Sequence, residues 1–188
     1  MLNTEIMNIN FESLNKSHFP LLLKWLLNPH VKQWWDQEIK WTEELISERY
    51  TSYTRGYKIL SFKEGIEIRA KIHAFIIKFN DIPIGYIQYY NTHDFPAHQG
   101  YDLSTLHESC AGLDCYIGEL NYTNKGIGPK ALAIFLKDFV LKEFEQVFVD
   151  PETDNLNAIK AYTKVGFNKI IGQQDFGIFW MLFERSLN

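Results

Sequence analysis

Two glycines lie in a short basic loop directly before an apolar helical pattern. The loop contains Lys125, Gly126, Gly128 and Lys130, and residues 127–143 then carry large apolar side chains at helical spacing. Glycine allows the backbone to approach a ligand closely, and the free N–H groups at a helix N-terminus favour phosphate. A predicted strand at 146–150 and a predicted helix at 155–164 follow this pattern. The spacing therefore indicates a site for a phosphate-bearing cofactor.

Two aspartates at predicted strand ends are candidates for acid–base chemistry. Asp114 lies at the start of a predicted strand at 112–117, and Asp150 ends the next strand. A protonated amine must lose a proton before it attacks a carbonyl carbon, and a nearby carboxylate can hold the cation and accept that proton. In a plainer interpretation, Asp114 lies at a strand edge and Asp150 belongs to a turn in which Asp154 caps the next helix. For Asp114, the residue pattern alone favours the plainer interpretation.

The helix predicted at 155–164 carries two further polar candidates. Tyr162 can point its hydroxyl at a ligand while its ring packs inward, although periodicity alone makes it an apolar-face aromatic beside Ala158. Asn155 either caps the helix or hydrogen-bonds a ligand, and its spacing to Tyr162 favours the second role.

The remaining elements predict a mixed α/β arrangement. We expect a strand at 6–14, a helix that is capped by Ser17 and stops at Asn28, and a second helix at 43–53 capped by Thr42. Strands at 71–79 and 84–90 enclose a turn sequence and predict a hairpin. We expect a long loop at 91–111 and two short strands near 167–171 and 177–183.

Composition and charge limit the classes of function. The 188 residues are 46% hydrophobic, a length and composition that predict one domain over 1–188. We expect a cytoplasmic protein, because neither a membrane-spanning run nor a signal peptide is evident. The net charge of −4 argues against a nucleic-acid partner and is compatible with a cationic substrate. Cys110 and Cys115 predict reduced thiols, and the histidines lack metal-ligand spacing, so no metal is expected. The sequence is compatible with either a monomer or a homodimer.

Residues 71–185 resemble the GCN5-related N-acetyltransferase (GNAT) superfamily. The resemblance rests on Gly126 and Gly128 after a strand, and on Asn155, Ala158 and Tyr162 before a glycine-ended helix. It implies an α/β (α+β) fold with a mixed central sheet of roughly six to seven strands that is flanked by helices and splayed between its two central parallel strands. It also implies acetyl-CoA as cofactor. The chain departs from the family at Thr123, where Gln or Arg is common.

Within the superfamily, short pieces are most similar to aminoglycoside 6′-N-acetyltransferases. These pieces cover residues 30–35, 84–90, 112–114, 150–151 and 155–159. The resemblance implies acetyl transfer to a primary amine of an aminoglycoside by direct attack. The same pattern is partly shared by siderophore enzymes that acetylate hydroxylated lysine, and a non-catalytic acyl-CoA-binding module is a third alternative.

The resemblance also assigns roles to individual residues. Asp114 and Asp150 would assist amine deprotonation, and Tyr162 would protonate the departing CoA thiolate. The residues implied to bind the cofactor are Cys115, Tyr116, Ile117, Lys125, Gly126, Ile127, Gly128, Pro129, Lys130, Asn155, Ala158 and Tyr162. Those implied to bind the acceptor are Trp34, Trp35, Gln88, Tyr90, Asp114, Asp150 and Asp175. Cys115 is given no nucleophilic role, since the family transfers acetyl directly to the amine.

Overall fold

The computed structural model describes residues 8–61, 67–95, 103–170 and 177–185. Its strands are β1 (Ile9–Ser13), β2 (Tyr57–Ser61), β3 (Glu67–Lys71), β4 (His73–Phe79), β5 (Ile82–Asn91), β6 (Cys110–Ile117), β7 (Gln146–Val149), β8 (Asn168–Lys169) and β9 (Met181–Glu184). Its α-helices are α1 (Phe19–Leu27), α2 (Pro29–Lys32), α3 (Glu43–Tyr53), α4 (Ile127–Asp138) and α5 (Leu156–Val165). Within these ranges, no helix has both the length and the apolar character that a membrane crossing requires.

Seven strands form one mixed sheet in the order β1-β4-β5-β6-β7-β9-β8, while β2 and β3 form a separate antiparallel pair. All neighbours in the large sheet are antiparallel except β6 and β7, which run parallel. The predicted mixed sheet of six to seven strands, with helices on its faces, is therefore confirmed.

The two parallel strands separate after a short stretch of pairing. β6 and β7 pair only from Cys110 to Gly112 on the first strand, whereas β6 stays paired with β5 as far as Ile117. The N–H of Gly118 donates to the carbonyl of Ile84 at 2.8 Å. Backbone groups of successive residues in a strand point to opposite edges. Since those of Gly118 point to β5, the backbone groups of Ile117 and Cys115 point to the gap beside β7. The predicted splay is present.

Two apolar cores cover the two faces of the sheet. One contains Phe135 of α4 and Tyr162 of α5, and the other contains α1 and α3 with many aromatic rings. The side chains of β5 alternate between them, since Tyr86 and Tyr90 join the aromatic core and Tyr89 joins the core under α4. Gln88 and Tyr90 therefore share a strand face.

Several predicted boundaries are wrong at the N-terminal half. The first helix begins at Phe19 rather than after a Ser17 cap, because Asn15 caps a preceding 3-10 turn by accepting from the N–H of Ser17 at 2.9 Å. Pro29 does not simply stop a helix but opens α2 at its first position, where a missing N–H costs nothing. The sequence pattern does not predict the β2 and β3 hairpin, because each strand has only five residues and β3 is mostly polar.

Other predicted ranges also differ. α4 ends at Asp138 instead of Glu143, since Phe139 adopts φ −123° and ψ −68° and its ring packs 5.0 Å from that of Phe75. The predicted loop at 91–111 contains the end of β5, two 3-10 turns and the start of β6, and its residues 96–102 lie outside the described part.

Candidate active site

A cavity of about 620 Å³ occupies the gap where β6 and β7 separate. Side chains of β6, α4, α5 and the segment after α2 line it. The predicted site residues in its lining are Trp34, Trp35, Asp114, Cys115, Tyr116, Ile117, Gly126, Gly128, Pro129, Asp150, Asn155, Ala158 and Tyr162. The cavity thus brings together residues that are distant in the chain.

Asp114 is held by a chain of hydrogen bonds that begins in the aromatic core. The hydroxyl of Tyr86 donates to Oε1 of Gln88 at 2.6 Å, and Nε2 of Gln88 donates to Oδ2 of Asp114 at 2.8 Å. Tyr86 is fully buried, and burial raises the pKa of its hydroxyl well above the usual range, so this group stays a donor. The arrangement fixes the orientation of the Gln88 amide. It leaves the second oxygen of the Asp114 carboxylate for a ligand.

Two further acids come from the turn after β7. Asp150 and Glu152 both line the cavity, and Oε1 of Glu152 accepts from Nε2 of Gln37 at 2.9 Å. This bond connects the turn to the segment that carries Trp34 and Trp35. Glu152 was missed in the sequence, although it stands in the same turn as Asp150.

Tyr162 points its hydroxyl at β6. Its oxygen lies 3.9 Å from Sγ of Cys115, and its ring packs 5.4 Å from that of Phe167. Burial raises the pKa of Tyr162 well above the usual range, with further contributions from Cys115, Asp114 and Asp150. Burial also raises the pKa of the Cys115 thiol to about 12. Both groups are therefore protonated at neutral pH, and Cys115 is a poor nucleophile.

The glycine loop meets the N-terminus of α4 beside the cavity. Gly126 is the N-cap and has φ +73°, a left-handed conformation that suits glycine. A Cβ added at Gly126 would meet no atom within 4 Å, so the space next to this residue is open. No side chain caps the helix at this end, and its first N–H groups are directed toward the loop, which makes this an anion-binding position.

Asn155 caps α5. Its side chain accepts from the N–H of Ala158 at 3.1 Å. The spacing to Tyr162 predicts a ligand contact rather than a cap, whereas the structure shows the cap and also places Asn155 in the cavity lining. The cap uses one lone pair of the side-chain oxygen, and the amide N–H groups are donors for a ligand.

Aromatic rings close the opposite wall of the cavity. The ring of Trp35 lies 4.9 Å from that of Tyr116 and 6.0 Å from that of Tyr86, both edge-on, whereas Trp34 makes no ring contact within the described residues. Nε2 of His30 lies 3.1 Å from the carbonyl of Ile117 and fixes the end of β6. His30 was missed as a site residue, since a single histidine before a tryptophan pair carries no distinctive signal.

Some predicted site residues lie outside the lining. Ile127 is buried in the core, and neither Lys125 nor Lys130 lines the cavity, whereas Lys160 and Lys164 do. Gln88 acts through Asp114, and the ring of Tyr90 packs 4.5 Å from that of Phe95. Asp175 lies outside the described residues.

Comparison with known proteins places this arrangement among acetyltransferases. Residues 53–173 match a family described as an acetyltransferase (GNAT) domain. The chain is 23% identical over 164 residues to aminoglycoside N(6′)-acetyltransferase type 1 of Klebsiella pneumoniae, covering 86% of this chain and 75% of the relative, and an equal match exists in Serratia marcescens.

Solved structures show the same fold. AAC(6′)-Ib in complex with coenzyme A and kanamycin has a TM-score of 0.75 and 22% identity, over 95% of both chains. Aminoglycoside N(6′)-acetyltransferase of Legionella pneumophila has a TM-score of 0.62 and 21% identity, over 94% of this chain and 91% of that one.

Replacing Gly126 should test whether its conformation matters for the anion-binding loop. Valine in the left-handed region costs roughly 1–2 kcal/mol, so Gly126→Val should weaken CoA binding roughly tenfold in calorimetry. Gly126→Asn should bind within about threefold of wild type, because asparagine tolerates this conformation. Gly128→Ala is the matched control, since its Cβ would lie 3.8 Å from the nearest atom. Equal CoA affinities for all three variants would contradict the assignment of the loop at Gly126 as the anion-binding position.

Proposed function

This chain belongs to the GNAT acetyltransferases, and from that premise we propose that it acetylates a primary amine of an aminoglycoside, at the 6′ position, by direct attack. Family membership makes it an acetyl-CoA-dependent N-acetyltransferase. The observation that carries the proposal is the single cavity that brings together Asp114, Asp150 and Tyr162 at the separation of β6 and β7.

The residues of the cavity fit acetyl-CoA. The N-terminus of α4 and the loop at Gly126 suit a pyrophosphate. The backbone groups of Cys115 and the N–H of Ile117, on the edge of β6 beside the gap, suit an extended amide-containing arm, while the Ile117 carbonyl contacts His30. Lys160 and Lys164 in the lining suit further phosphate charge. When bound, acetyl-CoA supplies an activated acetyl thioester and leaves as a thiol.

Asp114 takes the proton of the acceptor amine. The carboxylate attracts the ammonium group, and removal of a proton produces the neutral amine that attacks. Gln88 holds one carboxylate oxygen through the hydrogen-bond chain from Tyr86, which fixes the other oxygen. Asp150 adds negative charge on the far side of the gap and favours the cationic form of the acceptor during binding.

Tyr162 hydrogen-bonds the departing sulfur and passes a proton to it. Its hydroxyl is protonated at neutral pH, because burial holds its pKa high, and the proton that the attacking nitrogen loses as it becomes an amide restores the hydroxyl. The Tyr162 oxygen lies 3.9 Å from Sγ of Cys115, so the hydroxyl stands over the edge of β6 that faces the gap. A backbone N–H on that edge is the group that stabilises the developing negative charge.

The acceptor is inferred from the relatives and from the charge of the site. The curated relatives from K. pneumoniae and S. marcescens are named for aminoglycoside 6′-acetylation. Three acids line the cavity, and aromatic rings at Trp34 and Trp35 provide flat apolar surfaces for sugar faces and cations. These features suit a polyamine with sugar rings.

Acetyl-CoA consumption, followed by free-thiol release, tests the acceptor class. The acceptors are kanamycin, tobramycin, spermidine, a hydroxylysine and a short peptide. We expect rapid turnover with the two aminoglycosides and a product acetylated at the 6′-amine by NMR. Turnover confined to hydroxylysine would instead indicate a siderophore enzyme, and the absence of turnover with every amine despite CoA binding would contradict the proposal.

Asp114→Asn should lower kcat/KM for kanamycin roughly 100-fold, because the amide keeps the shape and the bond to Gln88 but accepts no proton. Steady-state kinetics at saturating acetyl-CoA measure this effect. Glu152→Gln is the matched control, and its loss should be smaller, since Glu152 is already bonded to Gln37. A loss of less than about threefold for Asp114→Asn would remove Asp114 from the proton transfer.

Tyr162→Phe should lower kcat roughly 100-fold while the Kd for CoA changes by less than about twofold, because the ring is retained and the proton donor is lost. Cys115→Ala is the control and should keep kcat, since a thiol with so high a pKa is not the nucleophile. If the phenylalanine variant turns over normally, or loses CoA affinity by the same factor, Tyr162 is not the proton donor.

A further inference from the structure

The cavity has a closed end at the point where β6 and β7 begin to pair. Residues 114–117 of β6 line the cavity, whereas Leu113 is buried and lies outside the lining. On the other side of the gap, Val149 of β7 is likewise buried and outside the lining. The space between the two strands therefore ends beside Asp114 and Cys115.

Apolar side chains form the floor of the closed end. Cys115 lies directly opposite Ile87 in the antiparallel ladder, so the two side chains share the face of the sheet that packs under α4. Both line the cavity, and Ile87 is buried, so the floor is closed at this level. The neighbours of Cys115 on the same strand face, Leu113 and Ile117, carry larger side chains. The short side chain of Cys115 thus leaves a notch in the wall.

The proposed position of the thioester lies at this notch. The Tyr162 hydroxyl, which hydrogen-bonds the CoA sulfur in the proposed reaction, lies 3.9 Å from Sγ of Cys115. Asp114, which meets the acceptor amine in that reaction, precedes Cys115 and points to the opposite face of the strand. The acyl group is then confined between the amine on one face and the pair of Cys115 and Ile87 on the other.

We propose, on the basis of the proposed function, that the closed end at Cys115 and Ile87 is the acyl subsite and that the Cys115 side chain limits the acyl chain to two carbons. The notch takes the methyl group of an acetyl thioester. A further methylene would press against the packed side chains of the floor, which resist displacement. The chemistry is unchanged, since the amine attacks the thioester carbon, an amide forms and CoA leaves as a thiol. Cys115 therefore determines which acyl-CoA is used.

Acetyl-CoA and propionyl-CoA are a matched pair of donors, because they differ by one methylene. With kanamycin as acceptor, wild type should favour acetyl-CoA at least roughly tenfold in kcat/KM. Cys115→Ala removes the sulfur atom, makes room for about one methylene and should raise the ratio of propionyl to acetyl transfer roughly tenfold. The rise should come from propionyl-CoA, since an acetyl group still fits. Ile87→Val should shift the ratio in the same direction, and Cys115→Ser, which keeps the size, should not.

The same changes at two buried positions outside the lining are the controls. Cys110→Ala on β6 and Ile84→Val on β5 alter the core without altering the cavity, so the ratio should stay at its wild-type value. Equal use of both donors by wild type, or an unchanged ratio in Cys115→Ala, would overturn the inference while leaving aminoglycoside acetylation intact.

If no aminoglycoside is acetylated, the proposed function fails, and the acyl subsite is then tested without an acceptor. Calorimetry with acetyl-CoA and propionyl-CoA measures the Kd of each donor. Wild type should bind propionyl-CoA roughly tenfold more weakly, and Cys115→Ala should remove most of that difference. Equal Kd values in wild type, or the same difference in Cys115→Ala, would overturn the inference.

Discussion

β6 and β7 run parallel but pair at only three positions, and the functional geometry depends on this separation. β6 remains ordered beyond the separation because β5 satisfies its other edge through Ile117. Among the described residues no strand fills the gap, so the backbone groups of Cys115 and the N–H of Ile117 remain for a ligand, while the Ile117 carbonyl contacts His30. Because α4 and α5 each begin at that gap, their N-terminal loops and the acids of two strands meet in one cavity.

The aromatic core contributes to the site by orienting a polar group, in addition to lining the cavity with Trp35 and Tyr116. Tyr86 is fully buried and uses its hydroxyl to fix Gln88, which in turn fixes Asp114. A buried donor of this kind is costly to leave unpaired, so the network has one favoured arrangement. The same core contains Tyr90 of the sheet and Ala70 of the β2 and β3 hairpin.

Local patterns predicted most helices and strands of the C-terminal half, and the family resemblance implied the mixed, splayed sheet that is observed. The glycine loop, Asp114 and Tyr162 are each defined by short-range spacing and meet in one cavity, while their roles stay predictions. The cap of α5 at Asn155 and the α4 boundary depend on which of several local hydrogen bonds and ring contacts forms, and these were less predictable. The β2 and β3 hairpin packs on the aromatic core through Ala70 and Leu60, a long-range contact that no local pattern encodes.

A crystal structure with CoA and kanamycin bound together tests the central claim most directly. The account predicts that CoA lies in the gap between β6 and β7 with its sulfur within hydrogen-bond distance of the Tyr162 hydroxyl. It also predicts the 6′-amine of kanamycin at the Asp114 carboxylate, directly or through one water. CoA bound elsewhere, or an aminoglycoside amine that approaches neither Asp114 nor Asp150, would contradict the account.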